Sequence, residues 1–176
     1  PRNAAGTYRV DPFDFEPAEG AASALKNPNN AVRFLAYRRL EELGEEAKDA
    51  LLEIWRSDNP RHRARALWLL AGLPDGEAFL HQAIADENPD LRITALRAAR
   101  RDQRDLLPLI RDLVDDPSPQ VRRECLLALR HHPAEEAADL WAQLALAHDG
   151  EDRWYLEALG IAADRQWDRY FAAWLA

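Results

Sequence analysis

The sequence has little of the residues on which cross-linked folds and many catalytic sites depend. It contains a single cysteine, Cys125, which excludes an internal disulfide and a metal site built on paired thiols. Only 7 glycines are present, and none belongs to a phosphate-binding loop or a Gly-x-Ser-x-Gly turn. Cys-x-x-Cys-His is also absent, so the sequence attaches no c-type haem. We therefore expect no cofactor and no metal site.

Long apolar runs are absent as well. No stretch approaches the roughly 18 apolar residues of a membrane-spanning helix, and no secretory signal opens the chain, so we expect no membrane insertion. Because the sequence starts at Pro1 and lacks methionine, we expect it to be a piece of a larger protein. A net charge of −8, from 23 basic and 31 acidic residues, disfavours nucleic acid and anionic membranes as partners.

An arginine recurs within similar segments at nearly constant intervals. The segments are "NNAVRFLAYRRL", "NPRHRARALWLL", "NPDLRITALRAA", "SPQVRRECLLAL" and "DGEDRWYLEALG", and their arginines are Arg33, Arg63, Arg92, Arg122 and Arg153. The successive intervals are 30, 29, 30 and 31 residues. A period of this length is typical of a stacked repeat protein.

Each repeat unit has the pattern of a helical hairpin. Proline stands three residues before three of the arginines, where it suits the first turn of a helix. Apolar residues then recur with helical spacing, as in Val121, Cys125 and Leu129, and a second apolar-periodic segment such as "EAFLHQAIA" follows. The sequence predicts an all-α fold, a right-handed α-α superhelix of about five hairpins over residues 27–176. We expect the Trp- and Tyr-rich last unit to cap its far end.

The pattern Asp/Asn-x-Pro-x-Val/Leu-Arg-x-x-Ala-x-x-Ala-Leu resembles HEAT-type repeats, including the short kind found in phycobilin lyases. The resemblance covers about residues 27–176 and implies a fold but hardly a function, because such arrays occur in scaffolds, transport receptors, lyases and DNA glycosylases. The last units, with "SPQVRRECLLALRHH" and "AHDGEDRWYLEALGIAADRQWDRYFAAWL", are also similar to the helical region of large bacterial membrane-associated dehydrogenase-like proteins. That second resemblance implies a β-propeller before the array, a cytochrome c module after it, and an extracytoplasmic or membrane-associated location.

Residues 1–26 are expected to form an extended arm or linker. "AGTYRVDPFDFEPAEG" combines a short alternating run with turn-forming Asp-Pro. It fits the last strand of a preceding domain, or equally an arm anchored on the first repeat by Phe13 and Phe15.

The five recurrent arginines fall inside the apolar arc of their helices. Because an unpaired buried charge is costly, we expect a structural ladder in which each guanidinium reaches a loop carboxylate or carbonyl. The candidate carboxylates are Asp58, Asp86, Asp115 or Asp116, and Asp149. A ligand-binding role for these arginines is the alternative, and surface arginines such as Arg104 are expected to matter little for stability.

The opposite arc of the same helices is basic and aromatic, although the protein is acidic. Its residues form the predicted interaction face: Phe34, Arg38, Trp68, Arg97, Arg100, Arg123, Arg130 and Trp154. This composition favours an acidic protein partner. The alternative is that the charges only solvate a helix surface and that the tryptophans pack between repeats.

Two functions follow from these patterns. The first is a non-catalytic protein-interaction or spacer module, whose partner is a companion protein or a neighbouring domain of the same chain. The second is a DNA-binding enzyme of the HEAT-like glycosylase kind, suggested by Asp152 near Trp154 and Asp168 beside Trp167. The acidic charge and the lack of a glycosylase motif weigh against it, and the oligomeric state is left open.

Overall fold

The computed structural model describes residues 12–176, and within that range the regular structure is helical, with no β-strand. The helices in chain order are α1 (Ala18–Leu25), α2 (Asn30–Leu43), α3 (Lys48–Trp55), α4 (Pro60–Leu70), α5 (Gly76–Ile84), α6 (Pro89–Arg101), α7 (Leu107–Leu113), α8 (Pro119–Leu129), α9 (Glu136–Leu146), α10 (Arg153–Ala162) and α11 (Trp167–Leu175). The even-numbered helices carry the arginine segments, which we call first helices. The odd-numbered helices from α3 carry the second apolar segments. The predicted all-α class and the alternation of first and second helices are confirmed.

The first helices begin where the capping residues predict. The side chain of Asn88 accepts a hydrogen bond from the amide of Asp90 at 2.9 Å, and Asp152 does the same for Trp154 at 2.9 Å. Such caps satisfy amides that have no partner within the helix. Three first helices start with the predicted proline, namely Pro60, Pro89 and Pro119.

The described residues fall into two compact units, 12–69 and 70–176. In the first unit, α1 packs on α2 and α3. Its core contains Ala21, Leu25, Leu40 and Leu51, which are all nearly inaccessible to solvent. A short 3-10 turn, Gly44–Ala47, joins α2 to α3.

The prediction of an extended arm is wrong for Ala18–Leu25, which form α1. The turn-forming Asp-Pro pair indicated an extended segment, but the alanine-rich residues after it bury Ala24 and Leu25 against the following helices. Gly20 is needed there, because a Cβ at that position would overlap the carbonyl of Asp14. The strand-like residues 8–10 lie outside the described range.

The two proposed aromatic anchors of the arm lie next to each other. The ring centroids of Phe13 and Phe15 are 6.0 Å apart, and Phe13 is 40% exposed. The segment is tied to α2 by Arg39, whose Nη2 donates to the Glu16 carbonyl at 3.0 Å.

In the second unit the helices stack in two rows. The first helices α6, α8 and α10 pack side by side, and so do the second helices α5, α7, α9 and α11. The last hairpin is held by Tyr155, whose hydroxyl donates to the Leu144 carbonyl at 2.8 Å, and by Tyr170, whose hydroxyl donates to Leu129 at 3.1 Å. Both tyrosines are fully buried.

The expected cap at the end of this unit is incomplete. The buried tyrosines of the last hairpin face the preceding repeat, whereas Trp167 is 51% exposed and Phe171 is 47% exposed. A capping repeat normally presents a polar outer face to water. The α10–α11 surface is instead rich in exposed apolar side chains.

Candidate functional site

Arg92 is the central member of the predicted arginine ladder. Its Nε and Nη2 donate to the two carboxylate oxygens of Asp116 at 2.6 and 2.8 Å, and its Nη1 donates to the carbonyls of Asp86 and Glu87. Arg92 is 8% exposed and Asp116 is 7% exposed. A bidentate pair with extra carbonyl acceptors is the geometry that makes a buried guanidinium tolerable.

Arg122 repeats this arrangement one unit further along. Its Nη1 donates to the carbonyl of Asp116 at 2.5 Å, and its guanidinium lies over the ring of Tyr155, 5.5 Å from the centroid. Burial raises the pKa of Tyr155, so its hydroxyl stays protonated at neutral pH. An aromatic ring and a backbone carbonyl are therefore the partners of Arg122, in place of the carboxylate that binds Arg92.

Two of the recurrent arginines lie in the first unit. Arg33 donates from Nη1 to the carbonyls of Asn27 and Pro28, and Arg63 donates from Nε to the carbonyl of Trp55 at 3.2 Å. The Arg63 guanidinium also lies 4.8 Å from the centroid of the Trp55 ring. Here the arginines bind loop carbonyls of the preceding turn.

Arg153 does not belong to the ladder, so the prediction is wrong for this residue. Its side chain is 82% exposed and reaches only Glu157, at 3.6 Å. The reason is register: Arg153 is the first residue of α10, whereas the other four are fourth in their helices. First helices start at residues 30, 60, 89, 119 and 153, so the last interval is 34 residues. Leu156 occupies the fourth position in α10.

A second set of structural arginines was missed by the sequence analysis. Arg104 donates from Nη2 to the carbonyl of Ala71 at 2.8 Å, and Arg169 donates from Nη2 to the carbonyl of His132 at 3.0 Å. Arg104 joins the α6–α7 turn, and Arg169 the first turn of α11, to the hairpin turn of the preceding repeat. Each is partly buried, so the expectation that Arg104 is a surface arginine is wrong. Gln103, directly before Arg104, adopts a positive φ of 54° just after α6, a backbone conformation that the sequence does not reveal, so no sequence signal marked Arg104.

Three residues of the predicted interaction face lie in the first unit. Phe34 is 64% exposed, Arg38 pairs with Glu41 at 2.8 Å, and Trp68 is partly buried. The other five residues of this face all lie in the second unit.

Four of the other five surround or line one groove, which we call the first-helix groove. It runs across α6, α8 and α10 and has a volume of about 770 Å³. It is lined by Asp90, Ile93, Arg97, Gln120, Arg123, Glu124, Leu127, Trp154, Glu157, Ala158 and Ile161. Arg100 lies at its edge through a 3.2 Å contact with Glu124, whereas Arg130 lies at the far end of α8. The predicted clustering of exposed first-helix positions is therefore found in this unit.

The arginines of this face are already paired with carboxylates. Glu124 is 3% exposed and accepts from Arg97 Nη2 at 2.7 Å and from Arg100 Nη2 at 3.2 Å. The hydrogen bond to Glu124 raises the pKa of Arg97 further. Arg123 lies 3.6 Å from Asp152, which caps α10. These contacts give Glu124 and Asp152 structural roles.

Arg130 is neutralised in the same way. Its Nη2 donates to Asp164 at 2.9 Å, and His131 Nε2 lies 3.0 Å from the same oxygen. The hydrogen bonds from Arg130 and His131 lower the pKa of Asp164. The sequence pattern could not show these inter-repeat pairs, because the partners are 24 to 34 residues apart. The positive charge on which an acidic partner was predicted is therefore largely balanced inside the protein.

The described residues offer neither a metal site nor a membrane-spanning helix. No group of three or more His, Cys, Asp or Glu side chains is arranged to hold a metal ion. None of the described helices has the length and hydropathy needed to cross a bilayer. Asp168, singled out by the enzyme hypothesis, is exposed near the start of α11.

Comparison with known proteins agrees with the packing of the second unit. None of the curated proteins matches the sequence. The sequence profile of HEAT repeats matches residues 76–160, which run from the start of α5 into α10. Their helices form the two stacked rows described above, with an arginine at the fourth position of α6 and α8. Residues 76–160 therefore form a HEAT-like repeat array.

Proposed function

We propose that this protein is a non-catalytic interaction module whose first-helix groove holds an apolar side chain of a protein partner. HEAT repeats suggest a protein-interaction scaffold, and this fold is typically non-catalytic. The similarity of the last units to the helical region of multidomain dehydrogenase-like proteins supports a neighbouring domain as the source of that partner.

The exposure of Trp154 is the observation that carries the proposal. Its side chain is 71% exposed at the wall of the groove, and Ile161, about two turns further along α10, is 43% exposed. Leu127 and Ile93 supply the apolar floor. Exposed tryptophan in a concave apolar setting is typical of a binding hot spot, because its large surface is desolvated only on association.

The carboxylates around the groove influence the choice of partner. Asp90 and Glu157 line the groove together with Glu124, while Arg97 is held by Glu124 and Arg123 lies beside Asp152. A segment with a large apolar side chain and a neutral or basic neighbour fits this distribution better than an acidic one. The same pairing leaves little free cationic surface for DNA, so we expect no DNA binding at physiological ionic strength.

The proposal is tested by comparing exposed apolar side chains inside and outside the groove. Once a partner has been captured from cell extract, calorimetry on purified components should show at least about tenfold weaker binding for Trp154→Ala. Leu146→Ala is the matched control, because Leu146 is 72% exposed on α9 and does not line the groove. Equal affinities of wild type and Trp154→Ala, or an equal loss in both variants, would reject the groove as the binding site.

A further inference from the structure

A second apolar cleft opens between the two helices of the last hairpin. We call it the end cleft; its volume is about 370 Å³. Leu156 and Gly160 of α10 form one side, Trp167, Phe171 and Trp174 of α11 form the other, and Trp141 of α9 closes the bottom. Among the described residues that line it there is no charged side chain. It is separate from the first-helix groove, which Trp154 and Ile161 border from the other side of α10.

The end cleft has a glycine at the position where earlier first helices have a core leucine. The eighth residue of a first helix is Leu67 in α4, Leu96 in α6 and Leu126 in α8, and each is at most 1% exposed. In α10 the eighth residue is Gly160. Apart from its chain neighbours and the backbone of α10 itself, a Cβ built at Gly160 would have no described atom within 4 Å. The space that a leucine side chain fills in earlier repeats is thus open here.

The fourth position of α10 also differs from that of the earlier first helices. Earlier repeats of the second unit place Arg92 and Arg122 there, and both reach polar groups of the next repeat. α10 has Leu156, which is 58% exposed. The last hairpin therefore lacks the cation that would require a polar partner, and it presents an aliphatic side chain in its place.

Several large apolar side chains around the end cleft are exposed to solvent. Trp167 is 51% exposed, Phe171 47% and Trp174 42%. The rings of Phe171 and Trp174 pack on each other, with centroids 5.4 Å apart, and do not fill the cleft. Contiguous exposed apolar surface of this kind marks an interaction site in soluble proteins.

The packing of the preceding repeat indicates what shape of partner fits. α8 and α9 are covered by α10 and α11, helix against helix, so the stack already shows how such a surface is buried. The α10–α11 surface continues the same two rows. A helix laid along it would place an aliphatic side chain over Gly160, where the earlier repeats have their own leucine.

We propose that the end cleft is a docking site for an amphipathic helix of another protein, which inserts a leucine-sized side chain between α10 and α11. The partner helix has an uncharged apolar face, because the end cleft offers no charged side chain to pair with. A second copy of this protein is the alternative occupant that the experiment below distinguishes.

The experiment uses a fluorescein-labelled amphipathic peptide made of Leu, Ala, Lys and Glu, with one leucine face, and a scrambled peptide of the same composition. Fluorescence anisotropy with the intact protein should show saturable binding of the amphipathic peptide only. Gly160→Leu fills the end cleft from within, so it should weaken binding at least about tenfold. Its melting temperature should be unchanged or higher, because no described atom has to move.

Two further variants keep the test decisive. Leu156→Asp puts a charge at a half-exposed position of the end cleft and should also abolish binding, whereas Leu146→Ala should not change it. Undiminished peptide binding by Gly160→Leu, or equal binding of the scrambled peptide, would overturn the proposal. Sedimentation velocity provides the other arm: a dimer of the wild type that disappears in Gly160→Leu would replace the foreign helix by a second copy.

Discussion

Asp116 binds two consecutive arginines of the ladder, Arg92 and Arg122. Its carboxylate accepts both donors of Arg92, at 2.6 and 2.8 Å, while its backbone carbonyl accepts from Arg122 at 2.5 Å. Its Oδ1 also accepts from the amide of Ser118 at 2.8 Å, which orders the turn before α8. One loop residue thus links α6 to α8 and starts the next repeat.

Removal of one partner of this pair should be costly. Arg92→Met leaves the carboxylate of Asp116 buried with only an amide donor, and we expect the free energy of unfolding to fall by about 3 kcal/mol. Urea denaturation followed by circular dichroism measures the change. Arg153→Met is the matched control, because Arg153 recurs in the sequence pattern but is 82% exposed, and its midpoint should not shift. A similar shift in both variants would show that burial of Arg92 is not the cause.

Arg104 should contribute to stability although it looks like a surface residue in the sequence. Arg104→Met removes the donors to the carbonyls of Ala71 and Leu73, at 2.8 and 3.3 Å, and we expect a loss of about 1 kcal/mol. Arg111→Met gives the comparison: Arg111 is also bidentate, with Glu136, but its side chain is 55% exposed. If thermal denaturation shows the larger shift for Arg111→Met, the turn contacts are not significant.

The fold was largely predictable because helix starts leave local signals. Prolines and capping residues at Pro89, Pro119 and similar positions fix where the first helices begin, and apolar spacing identifies their buried faces. The prediction of an extended arm failed because a short alanine-rich helix is stable only with tertiary contacts, which a local sequence pattern does not show. α1 obtains these contacts from α2 and α3. The prediction for Arg153 failed because the repeats were aligned on their arginines. That alignment concealed the longer loop that precedes Asp152.

The candidate site was predictable only in part. Helical spacing correctly grouped Arg97, Arg123 and Trp154 on one surface, since equivalent positions of stacked helices lie side by side. It could not show that Glu124 is buried and pairs with two arginines of α6, because helical spacing gives no information about contacts between different helices. The end cleft depends on the absence of a side chain at Gly160, which becomes visible only against the leucines of correctly aligned repeats.

Cys125 should behave as a buried reporter of unfolding. It is fully buried, and burial is the main cause that raises the pKa of its thiol far above the ordinary value. A thiol whose pKa is raised in the folded state is more easily ionised when unfolded, so stability from this group is lost as the pH rises above the ordinary thiol pKa. At pH 8 we expect a colorimetric disulfide reagent to react only after denaturant is added. Rapid reaction of the native protein would show that the α8 core opens easily.

Gly160 and Gly76 should respond in opposite ways to the same substitution. Both lie in helices of the second unit, Gly160 inside α10 and Gly76 at the start of α5. Gly160→Ala adds a methyl group where no described atom lies within 4 Å, and it removes the conformational freedom of glycine from the unfolded chain. We expect the free energy of unfolding to rise by about 1 kcal/mol.

Gly76→Ala should destabilise the protein, because its Cβ would overlap the backbone carbonyl of Ala71, which cannot move without breaking the turn. Calorimetric melting of both variants measures the two signs directly. A higher melting temperature for Gly76→Ala would mean that the turn before α5 relaxes freely. A lower one for Gly160→Ala would mean that the end cleft is closed in solution, since only a neighbouring atom close to Gly160 makes an added methyl group unfavourable there.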